Sequence, residues 1–406
     1  MKWCIIIILF VLLFKIHKKI NNLRYTYDDS NYFTTWSTSI HPMDPPSINL
    51  NNNSLRQIVR VSSSGEKIRI KFSNLLGENY LVIKKVCIAD IVSNNEVNMK
   101  TMKYITFKGK SGVVIGKGEE IYSDTIFYPL REISDIAISI YFGSVPKAIS
   151  GHYYSLTYSY IEIGNKINKK KFTRKKKTAH WYFISAIEVF SESPKKTIVC
   201  FGDSITDGVK FNNETRYNYP ALLFYKLLQN KETSNLSIVN QGVKSNRIID
   251  QGVDRYERDV LDIKGVAYII VLYGVNDLNV IDANSQEIIE GYKQIIKKAH
   301  ERNLLIYAGT IIPYGNFKNI YKWNKIKEKV RQETNDWIRK TKPENGGFDA
   351  FFDFNKLLKD PKNETCMKDE YDCGDGIHPS LEGYKKMIEG IDDLTLFAKK
   401  WTSKNY

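Results

Sequence analysis

The sequence predicts two domains in series, an amino-terminal all-β sandwich (jelly-roll-like) and a carboxy-terminal α/β domain with a mostly parallel sheet. A chain of 406 residues, of which 42% are hydrophobic and 13% aromatic, is long enough to bury two cores. Short β-like segments without a long helical pattern fill the first half. After Ser193-Pro194, apolar strands alternate with amphipathic helices, which is typical of α/β domains. We therefore expect domains at residues 33–192 and 195–402.

In the amino-terminal half, turn residues such as Ser64-Gly65 and Gly109 separate short strand-like segments. Alternation is clearest in Lys67–Phe72, whose apolar side chains would all fall on one face of a strand. Many short strands of this kind predict a sandwich or jelly roll. The predicted strands are Leu55–Val61, Lys67–Phe72, Tyr80–Ala89, Tyr104–Phe107, Ile136–Tyr141, His152–Ile163 and Trp181–Val189.

The carboxy-terminal half contains strands that are apolar throughout, which predicts a parallel sheet covered on both faces. Ligands of such sheets bind outside the carboxyl ends of the strands, so functional residues are expected there. The predicted strands are Thr197–Phe201, Leu236–Asn240, Val266–Tyr273, Leu304–Ile312 and Ala350–Phe354. The predicted helices are Tyr219–Leu228, Gln286–Arg302, Tyr321–Lys340 and Leu381–Lys399.

The extreme amino terminus has the features of an export signal. Trp3–Phe14 is an uninterrupted apolar run of 12 residues behind Lys2. A membrane span needs about 20 residues, whereas a signal-peptide core has about this length. No small-residue cleavage site follows, and Lys15, Lys18 and Lys19 form a positive flank, so an uncleaved anchor is an alternative. We expect a signal peptide or signal anchor at residues 1–22 and an extracellular, or membrane-anchored, protein.

The charge is strongly basic but uneven. The chain has 60 Lys and Arg against 45 Asp and Glu, a formal net charge of +15. About half of the excess lies in Lys166–Lys177, which carries eight cations and no acid. Such a run predicts a solvated, mobile connection, with a docking patch for an anionic surface as the alternative. A nucleic-acid partner is not expected, because the charge is concentrated in one loop and export is predicted.

The five cysteines are too few for a disulfide-dense scaffold. Cys87 and Cys200 lie in apolar strand-like segments and are predicted to be buried thiols. Cys366 and Cys373 lie in a polar segment, and an oxidising compartment would allow them to form a disulfide. No second Cys pair or His cluster stands nearby at ligand spacing, so no metal site is expected.

Four motifs stand at the predicted strand ends. Phe201-Gly-Asp-Ser-Ile-Thr-Asp-Gly208 delivers Ser204 at the sheet edge, between glycines that permit unusual backbone angles. Asn240-Gln-Gly242 ends the second strand, and Gly274-Val-Asn-Asp277 places Asn276 at the end of the third. Asp375-Gly-Ile-His378 precedes the last helix, and an aspartate three residues before a histidine can accept its Nδ1 proton.

These residues meet the needs of ester hydrolysis. A neutral serine is a poor nucleophile, so His378 would remove the Ser204 proton during attack. Asp375 would orient the imidazole and stabilise its charged form. The backbone N–H groups of Ser204 and Gly242 and the side-chain amide of Asn276 are candidate oxyanion donors. This chemistry requires no metal or cofactor.

The ordered set resembles the SGNH (GDSL) hydrolase family. The matching motifs are Gly-Asp-Ser204, Asn-Gln-Gly242, Gly-Val-Asn276-Asp and Asp375-Gly-Ile-His378-Pro. The resemblance implies a three-layer α/β/α sandwich, with Ser204 as nucleophile, Gly242 and Asn276 as oxyanion donors, and His378 with Asp375 completing a triad.

The first half is similar to the subgroup of this family that carries an amino-terminal β-sandwich. The segments that carry this similarity are Trp36, Ser54–Arg60, Arg69–Gly77 and Trp181–Ser185. The resemblance covers roughly residues 33–400. A departure is Lys244, which stands near the proposed oxyanion donors and would either favour an acidic substrate or point into solvent.

The function expected from the sequence is a secreted or surface-anchored serine esterase. The resemblance implies removal of short acyl groups, most plausibly acetyl groups on carbohydrate. No long apolar insertion stands between the motifs, which disfavours a lipase that acts on long chains. The alternatives are a lipolytic carboxylesterase acting on lipid esters and a catalytically silent carbohydrate-binding protein.

Overall fold

The computed structural model describes residues 28–209, 217–317 and 323–400. The predicted signal or anchor segment at residues 1–22, including Trp3–Phe14, lies outside the described residues. Within the described ranges, no helix is both long and apolar enough to cross a membrane.

The amino-terminal region is rich in strands, as the sequence predicts. One sheet has the order β1-β16-β4-β10, with β9 also paired to β4. A second has the order β14-β13-β3-β11-β5-β6, with β7 and β8 also paired to β5. The strands are β1 (Tyr32–Ser37), β2 (His41–Met43), β3 (Asn53–Arg60), β4 (Gly65–Ser73), β5 (Leu81–Ser93), β6 (Glu96–Val97), β7 (Lys103–Ile105), β8 (Val113–Ile115), β9 (Glu120–Tyr122), β10 (Ile126–Leu130), β11 (Asp135–Phe142), β12 (Ile149–His152), β13 (Ser159–Ile163), β14 (Lys175–Thr178), β15 (Trp181–Tyr182) and β16 (Ile184–Phe190).

Alternation along the strands forms the core of this region. Ile68, Ile70 and Phe72 on β4 are completely buried, whereas Lys67 and Lys71 on the opposite face remain partly exposed. Arg69, also on that face, is covered and forms an ion pair with Glu188 at 2.6 Å. The period of two places one set of side chains on the inner face and the other towards solvent. The pattern that the sequence predicts for Lys67–Phe72 is therefore confirmed.

Two predicted strands are in fact broken. His152–Ile163 is divided between β12 and β13 by a turn in which Leu156 has φ 50°. Trp181–Val189 is interrupted at Phe183, which has φ 61°. Strand β15 before that residue pairs with β12, whereas β16 after it pairs with β1 and β4. A left-handed residue redirects the chain between sheets, and apolar content alone does not reveal it.

The basic run forms part of a sheet edge. Phe172 within it is completely buried, and β14 pairs with β13 in antiparallel register. Lys170 forms an ion pair with Glu96 at 2.8 Å. The run is therefore anchored by Phe172 and by strand pairing, and the prediction of a mobile connection is wrong for this part of it.

The carboxy-terminal region contains the predicted parallel sheet, with the strand order β18-β17-β19-β20-β21. Its strands are β17 (Lys196–Gly202), β18 (Leu236–Gly242), β19 (Val266–Leu272), β20 (Leu305–Gly309) and β21 (Ala350–Phe352), and a hairpin follows in β22 (Lys359–Asp360) and β23 (Asn363–Met367). The helices are α1 (Ser204–Asp207), α2 (Tyr219–Leu228), α3 (Val253–Tyr256), α4 (Val275–Val280), α5 (Ser285–Glu301), α6 (Lys325–Lys340), α7 (Phe354–Leu358) and α8 (Leu381–Glu389).

Three features of this region differ from the prediction. The last helix ends at Glu389 rather than Lys399, because a short 3₁₀ segment, capped by the Asp393 side chain, follows at Leu394–Phe397. Strand β21 ends at Phe352, because Asp353 caps α7. Residues 248–261 form a helical stretch, with α3 between two π-helical turns, that the sequence patterns do not predict.

Candidate active site

Ser204 lies where the first parallel strand meets a helix. Strand β17 ends at Gly202, and the Asp203 side chain caps α1 by accepting the Ile205 N–H at 2.9 Å. A Cβ at Gly202 would lie 2.1 Å from Thr206 Oγ1, so the tight turn requires glycine. As the first residue of α1, Ser204 has a backbone N–H with no acceptor inside the helix.

His378 joins Ser204 to Asp375. Its Nε2 lies 2.8 Å from Ser204 Oγ, and its Nδ1 lies 2.8 Å from Asp375 Oδ2. Burial by itself raises the pKa of the Asp375 carboxyl. The hydrogen bonds from the His378 ring and backbone outweigh burial and hold that pKa well below its ordinary value. Asp375 is thus an anion that orients the imidazole.

The loop that carries His378 is held by the side chain of Asp372. Asp372 Oδ1 accepts the N–H groups of Gly374 and Gly376 at 2.8 and 3.0 Å. Gly376 has φ 82°, and a Cβ there would lie 2.3 Å from backbone atoms of Asn316. The glycine therefore lets this loop pack against the loop after β20, which fixes the direction of the imidazole.

The structure brings the predicted oxyanion donors to the same edge, but two of them have acceptors within the protein. Gly242 pairs with Gly202 across β17 and β18, and its N–H donates to Asn240 Oδ1 at 2.8 Å. Asn276 Nδ2 donates to Asp203 Oδ2 at 3.3 Å and to the Asn246 carbonyl at 3.1 Å. The Ser204 N–H is therefore the donor that the helix itself leaves available.

Two buried carboxyls stand beside these groups. Burial raises the pKa of Asp203 to about 7 and the pKa of Asp277 to about 6. Asp277 accepts the N–H groups of Ile248 and Ile249 at 3.2 and 3.1 Å, which ties α4 to the helical stretch after β18. Both carboxyls are therefore uncharged at mildly acidic pH.

The contribution of Asp203 and Asp277 to the free energy of unfolding is expected to fall as pH rises from about 4 to about 7. An aspartate in the unfolded chain has a pKa near 3.9, so across this range the folded state holds protons that the unfolded state has released. Rising pH then favours the unfolded state. Urea titrations of Asp203→Asn should show a shallower pH dependence, whereas the exposed Asp254→Asn should retain that of the wild type. If the free energy of unfolding changed equally with pH in all three proteins, the raised pKa of Asp203 would be contradicted.

Arg255 is a site residue that the sequence patterns do not reveal. The buried guanidinium donates to the carbonyls of Gly202 at 3.0 Å and Gln241 at 2.9 Å, the last residues before Asp203 and Gly242. It also donates to Asn246 Oδ1 at 2.8 Å, and the Asn246 carbonyl holds Asn276. One side chain therefore ties together the strand ends that carry the candidate site.

The amino-terminal region also reaches the site. His152 is 2% exposed, and its Nε2 lies 3.0 Å from Asp207 Oδ1, at the end of the helix that starts with Ser204. Ser39 Oγ contacts Gln241 Oε1 at 2.6 Å and accepts from Arg255 at 2.7 Å. No local sequence signal marks His152 or Ser39, because their partners are 55 and about 200 residues away.

Lys244 has a partner in the amino-terminal region. Its Nζ donates to the Tyr154 hydroxyl at 2.9 Å, and the ammonium lies 5.4 Å from the centre of that ring. The side chain is exposed, but it is held across the boundary between the two regions rather than extended freely into solvent.

The disulfide predicted between Cys366 and Cys373 is absent, and both are free thiols. Strand β23 directs the buried Cys366 Sγ to Asn316 Oδ1 at 3.2 Å, whereas Cys373 is exposed on the loop before His378. Partial desolvation on this loop, together with the neighbouring Asp375 carboxylate, raises the pKa of the Cys373 thiol to about 11. Cys87 and Cys200 are buried free thiols, as the sequence predicts.

Among the described residues, Asp372, Cys373 and Asp375 offer ligand atoms within 4.8 Å of one another. The carboxylates already accept hydrogen bonds that shape the His378 loop, at Asp372 Oδ1 and at both oxygens of Asp375. Asp375 Oδ2 in particular faces the imidazole. These carboxylates therefore stabilise the His378 loop, and we assign no metal to them.

Serine hydrolases typically have a serine that is hydrogen-bonded to a histidine, which is in turn hydrogen-bonded to an aspartate. Here these groups lie at the edge of a parallel sheet. Residues 200–386 match the model of the GDSL-like lipase/acylhydrolase family. This part of the chain is a GDSL-like lipase/acylhydrolase domain, and the protein is an ester hydrolase. The resemblance seen in the sequence is thereby confirmed.

The chain is also similar to solved structures. A GDSL-like lipase from Bacteroides thetaiotaomicron VPI-5482 is 18% identical, with 50% of this chain and 89% of that chain covered and a TM-score of 0.40. A member of the lipolytic protein G-D-S-L family from Veillonella parvula DSM 2008 is 17% identical, with 50% and 98% covered and a TM-score of 0.38. The acetyl xylan esterase AlAXEase is 21% identical, with 48% and 97% covered and a TM-score of 0.37. No curated protein matches the chain.

Proposed function

We propose that the protein is a serine esterase in which Ser204, His378 and Asp375 form a catalytic triad. The observation that carries this proposal is the continuous chain of hydrogen bonds from Ser204 Oγ through the His378 ring to Asp375, with 2.8 Å at each step. This geometry lets the imidazole remove the serine proton without any movement of the loop.

The reaction follows from these contacts. Ser204 Oγ attacks the ester carbonyl while His378 Nε2 takes its proton, and Asp375 stabilises the imidazolium. When the tetrahedral intermediate collapses, His378 returns the proton to the leaving alcohol and an acyl-serine remains. Water then attacks the acyl group with His378 again as the base, and the acid leaves as Ser204 recovers its proton.

The oxyanion would be bound by the N–H groups of Ser204 and Gly242 and by Asn276 Nδ2. The last two would exchange their present acceptors, Asn240 Oδ1 and Asp203 Oδ2, for the stronger charge of the oxyanion. Because the Asn276 contact with Asp203 is long, at 3.3 Å, it is the more easily exchanged of the two.

The proposed substrates are short acyl esters, in particular acetyl esters on carbohydrate, on the basis of the family resemblance. The Lys244 ammonium and the Tyr154 hydroxyl are polar groups beside the strand end that carries Gly242. Groups of this kind suit a hydroxyl-rich alcohol better than a lipid tail.

The proposal includes export, with residues 1–22 as signal peptide or anchor. It also includes domains at residues 33–192 and 195–402, with jelly-roll and three-layer α/β/α architectures respectively. The basic edge at Lys166–Lys177 would face an anionic surface, for which the exposed cations of β14 are the support.

A series of p-nitrophenyl esters from acetate to decanoate, assayed beside acetylated polysaccharides, tests the substrate class. We expect the highest kcat/KM for acetate and release of acetate from the polysaccharide. A maximum at long chains would favour a lipolytic carboxylesterase instead. Binding of the polysaccharide without turnover of any ester would favour a silent binding protein.

A further inference from the structure

The basic edge, Lys166–Lys177, presents positive charge that the protein itself does not neutralise. All of its cations from Lys169 onward are exposed. Lys170 and Lys171 form ion pairs with Glu96, at 2.8 and 4.0 Å. No other cation of the edge forms an ion pair within the part of the chain that the structure describes. The cations without an acidic partner are Lys166, Lys169, Arg174, Lys175, Lys176 and Lys177. A surface of this kind attracts anions.

A buried arginine fixes the backbone of the basic edge from inside. The Arg56 guanidinium donates to the carbonyls of Lys169 at 2.7 Å and Lys170 at 3.2 Å, and the Phe172 ring packs on it, with 4.2 Å between Arg56 Cζ and the ring centre. Burial lowers the pKa of Arg56 to about 10, so the group is still a cation at neutral pH. Its acceptors among the described residues are neutral oxygens, so its charge adds to that of the edge.

Strand β14 arranges part of this charge in a row. The strand lies at one end of its sheet, where it pairs with β13. The side chains of Lys175 and Lys177 lie on one face of β14, about 7 Å apart along the strand, because side chains alternate with a period of two. Their ammonium groups lie 5.3 and 4.0 Å from the centres of the Tyr160 and Tyr158 rings. Regularly spaced cations match a polymer that carries repeated negative charges.

The basic edge lacks the apolar side chains of a membrane-binding segment. Between Asn168 and Lys177 every exposed side chain is polar, and the one apolar residue, Phe172, is buried. Segments that bind a membrane surface insert apolar side chains below the headgroups in addition to presenting cations. A hydrated polyanion, such as a chain of sugar acids, needs only charge and hydrogen bonds. The composition of the edge therefore favours an acidic polysaccharide over an anionic membrane.

The turn between β12 and β13 links the basic edge to the candidate active site. The Ala179 carbonyl, directly after β14, accepts the Ser155 N–H of this turn at 3.2 Å. Leu156 of the same turn packs against the end of α1, since a Cβ at Gly208 would lie 3.2 Å from Leu156 Cδ1. Helix α1 begins at Ser204. A polymer that extends from the edge along this turn would therefore reach the helix that carries the proposed nucleophile.

We propose that the basic edge binds an acidic polysaccharide, whose carboxylates pair with Lys175, Lys177 and, beyond the turn, Lys244. The exposed Lys244 is held by the Tyr154 hydroxyl of that turn at 2.9 Å, and it follows Gly242 by two residues. The inference rests on the proposed function, because it makes the carrier of the acetyl esters a chain that also bears carboxylates.

Binding of polygalacturonate to the full-length Ser204→Ala variant, measured by calorimetry, tests the proposal without turnover. Fully methyl-esterified polygalacturonate is the matched probe without charge. We expect polygalacturonate to bind at least about tenfold more tightly, and its affinity to fall as salt screens the cations. Equal binding of the two polymers, or no binding of polygalacturonate, would overturn the proposal. Binding to phosphatidylserine vesicles without binding to polygalacturonate would overturn it as well and assign the edge to a membrane.

The edge variant combines Lys175→Gln, Lys176→Gln and Lys177→Gln in the Ser204→Ala background. We expect it to bind polygalacturonate at least about tenfold more weakly, because three cations of the row are removed. The three side chains are exposed, so the variant should keep the Tm of its parent. Unchanged affinity for polygalacturonate would overturn the assignment to the edge.

The control variant combines Lys297→Gln, Lys325→Gln and Lys329→Gln, which removes the same charge from exposed positions on α5 and α6. It should bind polygalacturonate as its parent does. If it lost as much affinity as the edge variant, the net charge of the whole protein would account for binding, and the proposal would be overturned.

Activity measurements with Ser204 intact test whether the acidic polymer is a substrate. The ratio of kcat/KM for acetylated polygalacturonate to kcat/KM for p-nitrophenyl acetate should fall at least about tenfold in the edge variant, and the control variant should keep the wild-type ratio. An unchanged ratio in the edge variant would overturn the acidic substrate. If the wild type hydrolysed neither ester, the proposed function would fail, whereas the calorimetry would still decide whether the edge binds the polymer.

Discussion

Replacement of Ser204 by alanine is expected to lower kcat/KM for p-nitrophenyl acetate by on the order of 10⁶-fold. The variant removes the hydroxyl that His378 Nε2 contacts at 2.8 Å, so no acyl-enzyme can form. The backbone donor of residue 204 and the strand ends remain in place. The residual rate should therefore reflect binding and oxyanion stabilisation alone, and it should still exceed the rate in buffer by about 10³–10⁴-fold.

Ser234→Ala, on the loop before β18, is a matched serine control and should retain full activity. Far-ultraviolet circular dichroism and the Tm should be the same for wild type and Ser204→Ala, because the serine hydroxyl is not part of the core. Equal rates for wild type and Ser204→Ala would refute the proposed nucleophile, whatever the stability of the variant.

Replacement of Arg255 by methionine should lower the free energy of unfolding by about 3–5 kcal/mol, the range measured when one partner of a buried ion pair is removed. The guanidinium satisfies the carbonyls of Gly202 and Gln241, and it lies 3.1 Å from the buried Asp259. Methionine keeps most of the volume but leaves these acceptors without donors. Urea unfolding measures the loss in free energy of unfolding. The value of kcat/KM should fall as well, because no side chain then joins the strand ends before Asp203 and Gly242.

Arg302→Met is the control for this experiment. Arg302 contacts Glu257 at 2.9 Å, but its side chain is 44% exposed. Exposed ion pairs contribute about 0–1 kcal/mol, so this variant should unfold almost as the wild type does. Arg255→Lys keeps the charge but reaches fewer acceptors. We expect its loss in free energy of unfolding to lie between those of Arg255→Met and Arg302→Met. A loss in Arg255→Met no larger than in Arg302→Met would show that the strand ends do not depend on the guanidinium.

The succession of elements could be predicted where local patterns decide the structure. Lys67–Phe72 alternates and forms β4, and the apolar segment around Val266–Leu272 forms β19 in the parallel sheet. Prediction failed at single residues that redirect the chain. Phe183 adopts a left-handed conformation between β15 and β16, and Asp353 ends β21 by capping α7. The turn at Phe183 depends on a distant segment, because its N–H donates to the Ser150 carbonyl, whereas the Asp353 cap is a local contact that the apolar strand pattern does not reveal.

Part of the candidate site could also be predicted, because parallel strands place their carboxyl ends at one edge of the sheet. The motifs of Ser204, Gly242, Asn276 and His378 were found in this way, and the structure brings them to that edge. Their catalytic roles stay predictions until activity is measured. Arg255 and His152 could not be found, since neither stands in a motif and each acts on residues of another element.

The amino-acid sequence alone determined the strand-rich character of the first region, the parallel sheet and family of the second, and the residues at its strand ends, because periodicity and glycine-bounded turns are local properties. The tertiary structure alone decided that Cys366 and Cys373 face different partners. It also decided that Arg255 donates to the Gly202 carbonyl, and that His152 reaches Asp207 from the amino-terminal region. Contacts of this kind form between groups far apart in the chain, so their geometry exists only once both regions have folded against each other.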